Sequence, residues 1–415
     1  MNAQEDREGD IAMAETAKKK MSKAKKILIA VVAIVVALLV VVDIAVSSYL
    51  VNYAIGRAGD GGDRNVEEVV IEAEGTVARI EAERAAQAVE TAKFLNAVPG
   101  EPVEITAAGG IHLAGIVYEH ATSDDASTPT DSQGPSASDA SASASSQDSS
   151  VSDISIPTDS QSSSDTIDPS TIDPALLDQA SPSGATTSPD DRWALVVHGY
   201  RDTNQSGYVL DMVQHYYAAG FNVLTPDLRA SGQSEGDYVG MGWLDRLDIL
   251  DWIDWILAQN ADAQIVVHGV SMGAATTMMV AGEETPAAVV AFVEDCGYTS
   301  VWDVFSSELS RRFGLPEFPL LHSASALSGL MAGYSFEEAS ALEAVARSEK
   351  PMLFIHGTAD DFIPFDMMGQ LYDAKTAGDK EMLISEGAGH AEAMYELGDA
   401  YWDTVLGFVD RYVGQ

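Results

Sequence analysis

The strongest candidate for a catalytic residue in the sequence is Ser271, in the pentapeptide GVSMG. This G-x-S-x-G pattern follows the apolar, β-type run Gln264–Val270 and precedes a helix-type run that begins at Met272. Small residues two positions before and after a serine permit the sharp strand-to-helix turn that exposes a nucleophilic oxygen. A chance match is common in a chain with 34 glycines, but the strand-before, helix-after context favours a nucleophile.

A serine nucleophile needs a general base and a carboxylate that orients the base. Two neighbouring aspartates, Asp360 and Asp361, follow a predicted strand, and the second could instead cap a helix that begins near Pro364. His390 lies in the glycine-rich loop EGAGH after the last predicted strand, where it could reach the serine. The spacing therefore predicts a Ser-Asp-His triad and leaves the choice of aspartate open.

The other histidines have weaker patterns. His198, His268 and His356 each precede a glycine at a strand end, and hydrogen-bonded packing beside a tight turn is the favoured interpretation. The remaining four show no partner pattern: His112, His120, His215 and His322. The motif H-E-x-x-H is missing from the sequence, so we expect neither a metal nor another cofactor.

Acyl transfer also needs two backbone N–H donors for the oxyanion. We expect one from Met272, directly after the nucleophile, and the other from Tyr200, in the loop after the predicted strand Trp193–His198. The Tyr200 ring could wall the substrate pocket or simply pack in the interior.

These residues require a parallel sheet that brings strand ends together. From Asp191 onward, β-branched apolar runs alternate with helix-period segments, which predicts a doubly wound, mostly parallel α/β sheet. The predicted strands are Trp193–His198, Phe221–Pro226, Gln264–Val270, Ala287–Glu294, Pro351–His356 and Glu381–Ser385. The predicted helices are Gly207–Ala219, Gly242–Gln259, Met272–Gly282, Pro364–Lys375 and Met394–Val413.

Two further segments belong to this predicted domain. Pro102–Glu119 reads as a β-hairpin around two adjacent glycines. The segment 298–349 is longer than one crossover helix needs and rich in apolar residues, so we expect a small helical lid with an acyl chain entering beneath it.

Composition excludes several classes. The 415 residues carry 64 acidic and 23 Lys or Arg side chains, a net charge of −41, which disfavours nucleic-acid binding. Cys296 is the one cysteine, so an intramolecular disulfide is impossible. A charged cluster (Asp227, Arg229, Asp245, Arg246, Asp248) favours a buried ion-pair network, and Trp252 and Trp255 favour helix-on-sheet packing.

The N-terminal region predicts a membrane anchor at 27–50. Six lysines between positions 18 and 26 precede twenty residues with one charge, Asp43, and such a helix spans about 30 Å, the thickness of a bilayer core. A cleaved signal peptide is the alternative, but a clear cleavage site does not follow Val46. The basic tail at 1–26 predicts a cytoplasmic N-terminus and a single-pass cell-membrane protein with the catalytic domain outside.

Two spacers are expected after the anchor. Residues 51–98 predict a helical stalk, and packing on its own domain is favoured over a coiled-coil partner site. The insert 121–190 holds 21 Ser, 8 Thr and 12 Asp, so we expect it to be disordered.

The motifs resemble those of bacterial membrane-anchored α/β-hydrolases related to the serine aminopeptidase-like group. The resemblance runs from about residue 103 to the C-terminus outside the insert, and the matching stretches are HGY (198–200), TPDLRASGQSEGDYVGMGWLDRLD (225–248), HGVSMGAATTMM (268–279), EDCGYTS (294–300), LFIHGTADDFIP (353–364) and EGAGHAEA (386–393). It implies an α/β-hydrolase domain at 99–120 and 191–415. It also implies the triad Ser271, Asp360 and His390, in preference to Asp361.

The leading hypothesis is therefore a membrane-tethered serine hydrolase that cleaves an ester, thioester or amide of a small-molecule acyl substrate. The alternative is a non-catalytic cell-surface binding module that retains the hydrolase fold. The serine at the turn excludes haloalkane- and epoxide-type hydrolysis, which needs a carboxylate nucleophile.

Overall fold

The structure is a computed structural model that describes residues 23–57, 74–120 and 191–414. Outside these ranges lie residues 1–22 of the basic tail, residues 58–73 of the expected stalk and the insert at 121–190. The prediction that the insert is disordered therefore falls on residues outside the described ranges.

The described residues form one eight-stranded sheet. Its strands are β1 (Glu101–Thr106), β2 (His112–Tyr118), β3 (Arg192–Val197), β4 (Asn222–Pro226), β5 (Gln264–Val270), β6 (Val289–Asp295), β7 (Met352–Gly357) and β8 (Lys380–Ser385). Their order is β1-β2-β4-β3-β5-β6-β7-β8. Strands β3 to β8 are parallel, and the hairpin β1-β2 joins β4 in antiparallel orientation. The predicted doubly wound, mostly parallel sheet is confirmed.

Helices cover both faces of this sheet. They are α1 (Lys23–Ile55), α2 (Glu74–Ala97), α3 (Gly207–Ala218), α4 (Asp245–Gln259), α5 (Met272–Ala281), α6 (Val301–Phe313), α7 (Leu320–Met331), α8 (Ala341–Arg347), α9 (Asp366–Ala374), α10 (Ala393–Leu397) and α11 (Asp399–Val409). In one hydrophobic core the strands pack against α4, α5, α8 and α9. In the other core the strands pack against α3, α10 and α11. The segment 298–349 is helical, as expected, and contains α6, α7 and α8.

The predicted strands agree with the observed ones to within about two residues at each end. The largest difference among the helices is at the C-terminus, where the single predicted helix Met394–Val413 is two helices, α10 and α11. Gly398 separates them with φ of +54°, a left-handed conformation that glycine adopts without the steric penalty of a side chain.

Helix α1 continues past the apolar run and docks on the α/β domain. Every fourth residue of its last part faces the domain: Asp43, Ser47, Val51 and Ile55, which we call the docking seam. Val51 and Ile55 are fully buried in the core. The Ser47 hydroxyl donates to the Leu320 carbonyl (3.3 Å), and the Ser323 hydroxyl donates to the Asp43 carboxylate (2.5 Å). The end of α1 is thus part of the folded domain.

Helix α2 also packs on the domain. The Thr91 hydroxyl donates to the Asp211 carboxylate on α3 at 2.6 Å, and both groups are buried. Phe94 and Leu95 pack against the core that contains α3 and α11. The described part of the expected stalk therefore packs on its own domain.

Candidate active site

Ser271 occupies a strained turn between β5 and α5. Its φ of +57° and ψ of −117° are rare for a residue with a side chain, and strain of this kind concentrates at functional sites. Both flanking positions require glycine for steric reasons. A Cβ at Gly269 would lie 2.1 Å from the Gly273 carbonyl oxygen, and a Cβ at Gly273 would lie 2.1 Å from the Val197 carbonyl oxygen. The G-x-S-x-G pattern is thus a packing requirement of this turn.

The structure brings the three predicted triad residues together. The Ser271 hydroxyl lies 2.8 Å from His390 Nε2, and His390 Nδ1 lies 2.8 Å from the Asp360 carboxylate. In the tautomer that satisfies both contacts, the serine donates to Nε2 and Nδ1–H donates to the aspartate. This is the geometry that general-base activation of a serine requires.

Asp360, and not Asp361, is the aspartate that contacts His390. The side chain of Asp360 is buried, and Asp361 is exposed. The backbone N–H groups of Phe362 and Ile363 donate to Asp360 Oδ1 at 2.9 and 2.8 Å. Burial by itself would raise the pKa of Asp360, but the charge of His390 and the hydrogen bonds from both neighbouring histidines outweigh it and hold the pKa well below its usual range. Asp360 is therefore ionised at neutral pH.

His198 and His268 are structural, as expected. The Leu228 N–H donates to His198 Nε2 (2.9 Å), so His198 carries its proton on Nδ1, which donates to the Gly199 carbonyl (2.7 Å). His268 lies between the hydroxyls of Tyr216 and Tyr401. Burial lowers the pKa of His268 to about 3, so the ring is neutral.

His356 is buried and hydrogen-bonded beside its turn, as its pattern predicts, but it also contacts Asp360. Its Nε2 lies 3.1 Å from the Ile363 carbonyl and 3.2 Å from the same Asp360 oxygen that contacts His390. A carbonyl only accepts hydrogen bonds, so Nε2 carries a proton that is directed at both oxygens. The pattern His356-x-x-x-Asp360 is the signal in the sequence for this contact.

The two residues expected to supply the oxyanion donors lie in segments next to Ser271. Met272 is the first residue of α5, where backbone N–H groups have no partner within the helix. Tyr200 follows Gly199, and a Cβ built on Gly199 would lie 3.5 Å from the Ser271 Cβ. The Tyr200 hydroxyl donates to the Ala54 carbonyl in the last turn of α1, so its ring links α1 to this loop.

A buried hydrogen-bond network joins the turn at Ser271 to side chains from other parts of the chain. The Ser271 N–H donates to the Asp295 carbonyl at 2.8 Å. The Asp295 carboxylate accepts hydrogen bonds from the hydroxyls of Tyr208 (2.7 Å) and Tyr401 (2.9 Å). Burial raises the pKa of Asp295. These partners are far apart in the chain, so local motifs do not show them.

Among the described residues, one group of three side chains brings potential metal-ligand atoms within 4.8 Å of one another. It consists of Cys296, Asp360 and His390. Burial raises the pKa of the Cys296 thiol well above its usual range, so it is a thiol and not the thiolate that metals prefer. Both ring nitrogens of His390 contact triad partners. This donor set suits proton transfer better than metal binding.

A cavity of about 640 Å³ opens at Ser271 and His390. Among the described residues, its walls come from the Gly199–Tyr200 loop, from α3 and from Ala88, Ala92 and Leu95 of α2, and not from the 298–349 segment. The expected position of the substrate beneath the lid therefore differs from the position of this cavity, which α2 covers.

The remaining polar cluster is structural. Arg229 and Asp248 form a two-contact ion pair (2.7 and 2.6 Å) in the interior. Burial raises the pKa of the nearby Asp245 to about 7. Arg246 instead pairs with Glu283 at 2.7 Å, so the predicted network is smaller than expected. Trp252 is buried in the core that packs α4 against the sheet, as predicted, and its ring also contacts Trp255.

The profile of the alpha/beta hydrolase family matches residues 194–404, half of the chain. The chain therefore belongs to the alpha/beta hydrolase family.

Individual relatives agree with this assignment. The uncharacterized protein YqkD of Bacillus subtilis is 33% identical over 193 residues, which cover 46% of this chain and 63% of YqkD, so the match spans less than two thirds of that relative. The uncharacterized membrane protein YNL320W of Saccharomyces cerevisiae is 25% identical over 205 residues, covering 49% of this chain and 66% of that protein. The resemblance inferred from the motifs is confirmed at the level of the family.

Among solved structures, the esterase Pf2001 of Pyrococcus furiosus is similar, with a TM-score of 0.50 and 17% identity. The alignment covers 77% of this chain and 94% of the esterase. At this identity the comparison shows the shared fold.

Proposed function

We propose that this protein is a membrane-tethered serine hydrolase that cleaves an ester, thioester or amide through an acyl-enzyme on Ser271. The observation that carries the proposal is the continuous chain of contacts from Ser271 through His390 to Asp360, each 2.8 Å long. Family membership supports hydrolase chemistry, and the strained turn supports a nucleophilic role for the serine.

In the proposed first step, the Ser271 oxygen attacks the carbonyl carbon while His390 Nε2 takes the hydroxyl proton. Asp360 accepts from Nδ1–H and stabilises the imidazolium that forms. The backbone N–H groups of Tyr200 and Met272 are placed to stabilise the developing oxyanion. His390 then returns the proton to the leaving group as the carbon–heteroatom bond breaks.

In the second half of the reaction, a water molecule attacks the acyl-serine. His390 Nε2 removes a proton from this water and afterwards protonates Ser271 as the ester bond breaks, which releases the acid. We propose that the cavity beside α2 holds the acyl group or the leaving group, because it is the space that opens directly at Ser271 and His390.

Labelling with a fluorophosphonate tests the nucleophile. The wild-type chain is expected to react at Ser271, and Ser271→Ala is expected to lose both labelling and turnover, by about 10⁶ in rate, with an unchanged melting temperature. Labelling at another residue, or turnover of Ser271→Ala within tenfold of wild type, would contradict the assignment. A folded wild-type chain that does not label would favour the binding-module alternative.

The proposed membrane tether is α1, which contains the apolar segment Lys26–Ile55, long enough to cross a bilayer. The lysines that precede the span support a cytoplasmic N-terminus and a catalytic domain outside the cell membrane. Protease added to intact protoplasts is expected to digest the catalytic domain. Protection of the domain until the membrane is permeabilised would reverse this topology.

A further inference from the structure

We propose that helix α7 enters the same bilayer that α1 spans, so that the 298–349 segment contacts membrane lipid beside the catalytic edge of the sheet. This inference rests on the proposed membrane span of α1. It adds a second membrane-contacting surface, provided by the catalytic domain itself.

The depth of α7 follows from the docking seam. An apolar helix needs about 20 residues to cross the hydrocarbon core, and the apolar run of α1 extends from residue 27 to residue 46. Asp43 lies in the last turn of this run, and Ser47 directly follows it. The contacts of these two residues with Ser323 and Leu320 therefore place the first turn of α7 at the boundary of the hydrocarbon.

The direction of α7 follows from the same two contacts. Leu320 lies opposite Ser47, and Ser323 lies opposite Asp43, so the two helices run in opposite directions. From Ser323, α7 continues for eight more residues to Met331, a rise of about 12 Å. This part of α7 runs back alongside the apolar span, toward the interior of the bilayer.

The composition of α7 suits this position. Its sequence, LLHSASALSGLM, contains no acidic, lysine or arginine residue, in a chain with a net charge of −41. Leu330 is 83% exposed, and Phe318, just before the helix, is 73% exposed. Contact of large apolar side chains with water is unfavourable, whereas their burial among lipid acyl chains is favourable. A helix also satisfies its own backbone hydrogen bonds in lipid.

The lipid contact would lie next to the active site. The last turn of α1 accepts hydrogen bonds from both the Tyr200 hydroxyl and the Arg201 guanidinium, in the loop beside Ser271. The carboxyl edge of the sheet, where Ser271 lies, is therefore turned toward the membrane. We infer that the mouth of the active site faces the leaflet that α7 enters.

Environment-sensitive labels test the depth of α7 in the full-length chain. Single cysteines at Leu330→Cys, Val36→Cys and Ala261→Cys would carry a nitrobenzoxadiazole fluorophore in phosphatidylcholine vesicles that contain acyl-chain nitroxide lipid. Val36 lies within the span, and Ala261 is exposed at the opposite, amino edge of the sheet. The native Cys296 is only 1% exposed, and the unsubstituted chain serves as the labelling background.

We expect the labels at positions 330 and 36 to lose most of their fluorescence to the nitroxide, and the label at position 261 to keep it. Quenching at position 36 without quenching at position 330 would overturn the membrane contact of α7 and leave the span of α1 intact. Lack of quenching at both positions would overturn the span and this inference together. Hydrolysis by each labelled chain would be measured separately, because the proposed catalytic function can fail or hold independently of these results.

Discussion

His356 Nε2 lies 3.2 Å from the Asp360 carboxylate oxygen that His390 Nδ1 contacts at 2.8 Å. Asp360 therefore has two histidines on one oxygen and two backbone N–H groups on the other. Burial alone would lower the pKa of His356, but the hydrogen bond and charge of Asp360 raise it. We infer that His356 is a positioning residue that keeps Asp360 ionised and fixed in direction.

Replacement of this donor tests the positioning role. We expect His356→Leu to lower kcat by about 10- to 100-fold, the cost of a lost hydrogen bond to a charged group, with KM nearly unchanged. Loss of the donor should also raise the pKa of Asp360, which His356 helps to lower, and thereby shift the acid limb of the pH–rate profile to higher pH.

His356→Gln, which retains an N–H donor, serves as the matched control and is expected to recover part of kcat. A purely structural role predicts a different pattern. Both variants would then lose melting temperature, and the pH–rate profile of the remaining activity would not move.

The neighbouring aspartates provide a second matched pair. Asp360→Asn is expected to lower kcat by about 10⁴, because an amide favours the wrong tautomer of the histidine. Asp361→Asn should have little effect, since Asp361 is exposed and lies one residue beyond the carboxylate that contacts His390. Steady-state rates on an activated ester measure both, and a larger loss for Asp361→Asn would reassign the acid.

The parts of this structure that are encoded locally could be predicted from the sequence. The buried parallel strands are continuous β-branched runs, and Ser271 lies in a turn whose first glycine, Gly269, is required by a backbone contact within the same motif. Asp360 and His390 follow successive strands, β7 and β8, so the parallel topology alone brings them to one edge.

The parts of the structure that depend on distant partners could not be predicted from the sequence. Val51 and Ile55 look like a continuation of the apolar span, and only the folded domain shows that they are core residues. Ala88 and Ala92 read as part of the apolar face of a spacer that packs on its own domain, but the cavity at Ser271 places them in its wall. Helical periodicity shows that a face is apolar and does not show which distant part of the chain that face meets.

Glu294 predicts a pH dependence of stability. It is fully buried, and burial raises its pKa from 4.5 to about 8. Between these pH values the folded state holds a proton that the unfolded state releases, so this group makes the protein less stable as pH rises through that window.

The variant Glu294→Gln cannot ionise and can still accept the Gly297 N–H, which Glu294 Oε2 accepts at 3.0 Å. We expect its melting temperature, relative to wild type, to rise steadily between about pH 5 and about pH 8. Thermal unfolding followed by circular dichroism measures this difference. A difference that stays constant across the range would show that Glu294 does not titrate in this window.

The wall formed by α2 predicts which residues select the substrate. Ala92 and Ala88 lie on the face of α2 that lines the cavity, whereas Ala86 is exposed and lies outside its lining. Ala92→Trp should fill part of the cavity and lower kcat/KM for esters with long or branched acyl chains by roughly tenfold or more, because pocket contacts of one or a few methylene groups have effects of this size. Short acetyl esters should be hydrolysed almost as before.

Ala86→Trp carries the same helix-propensity cost without entering the cavity, so it should leave the whole series unchanged. Equal losses in both variants would show that α2 acts only through the stability of the domain, and an unchanged chain-length preference in Ala92→Trp would place the substrate elsewhere.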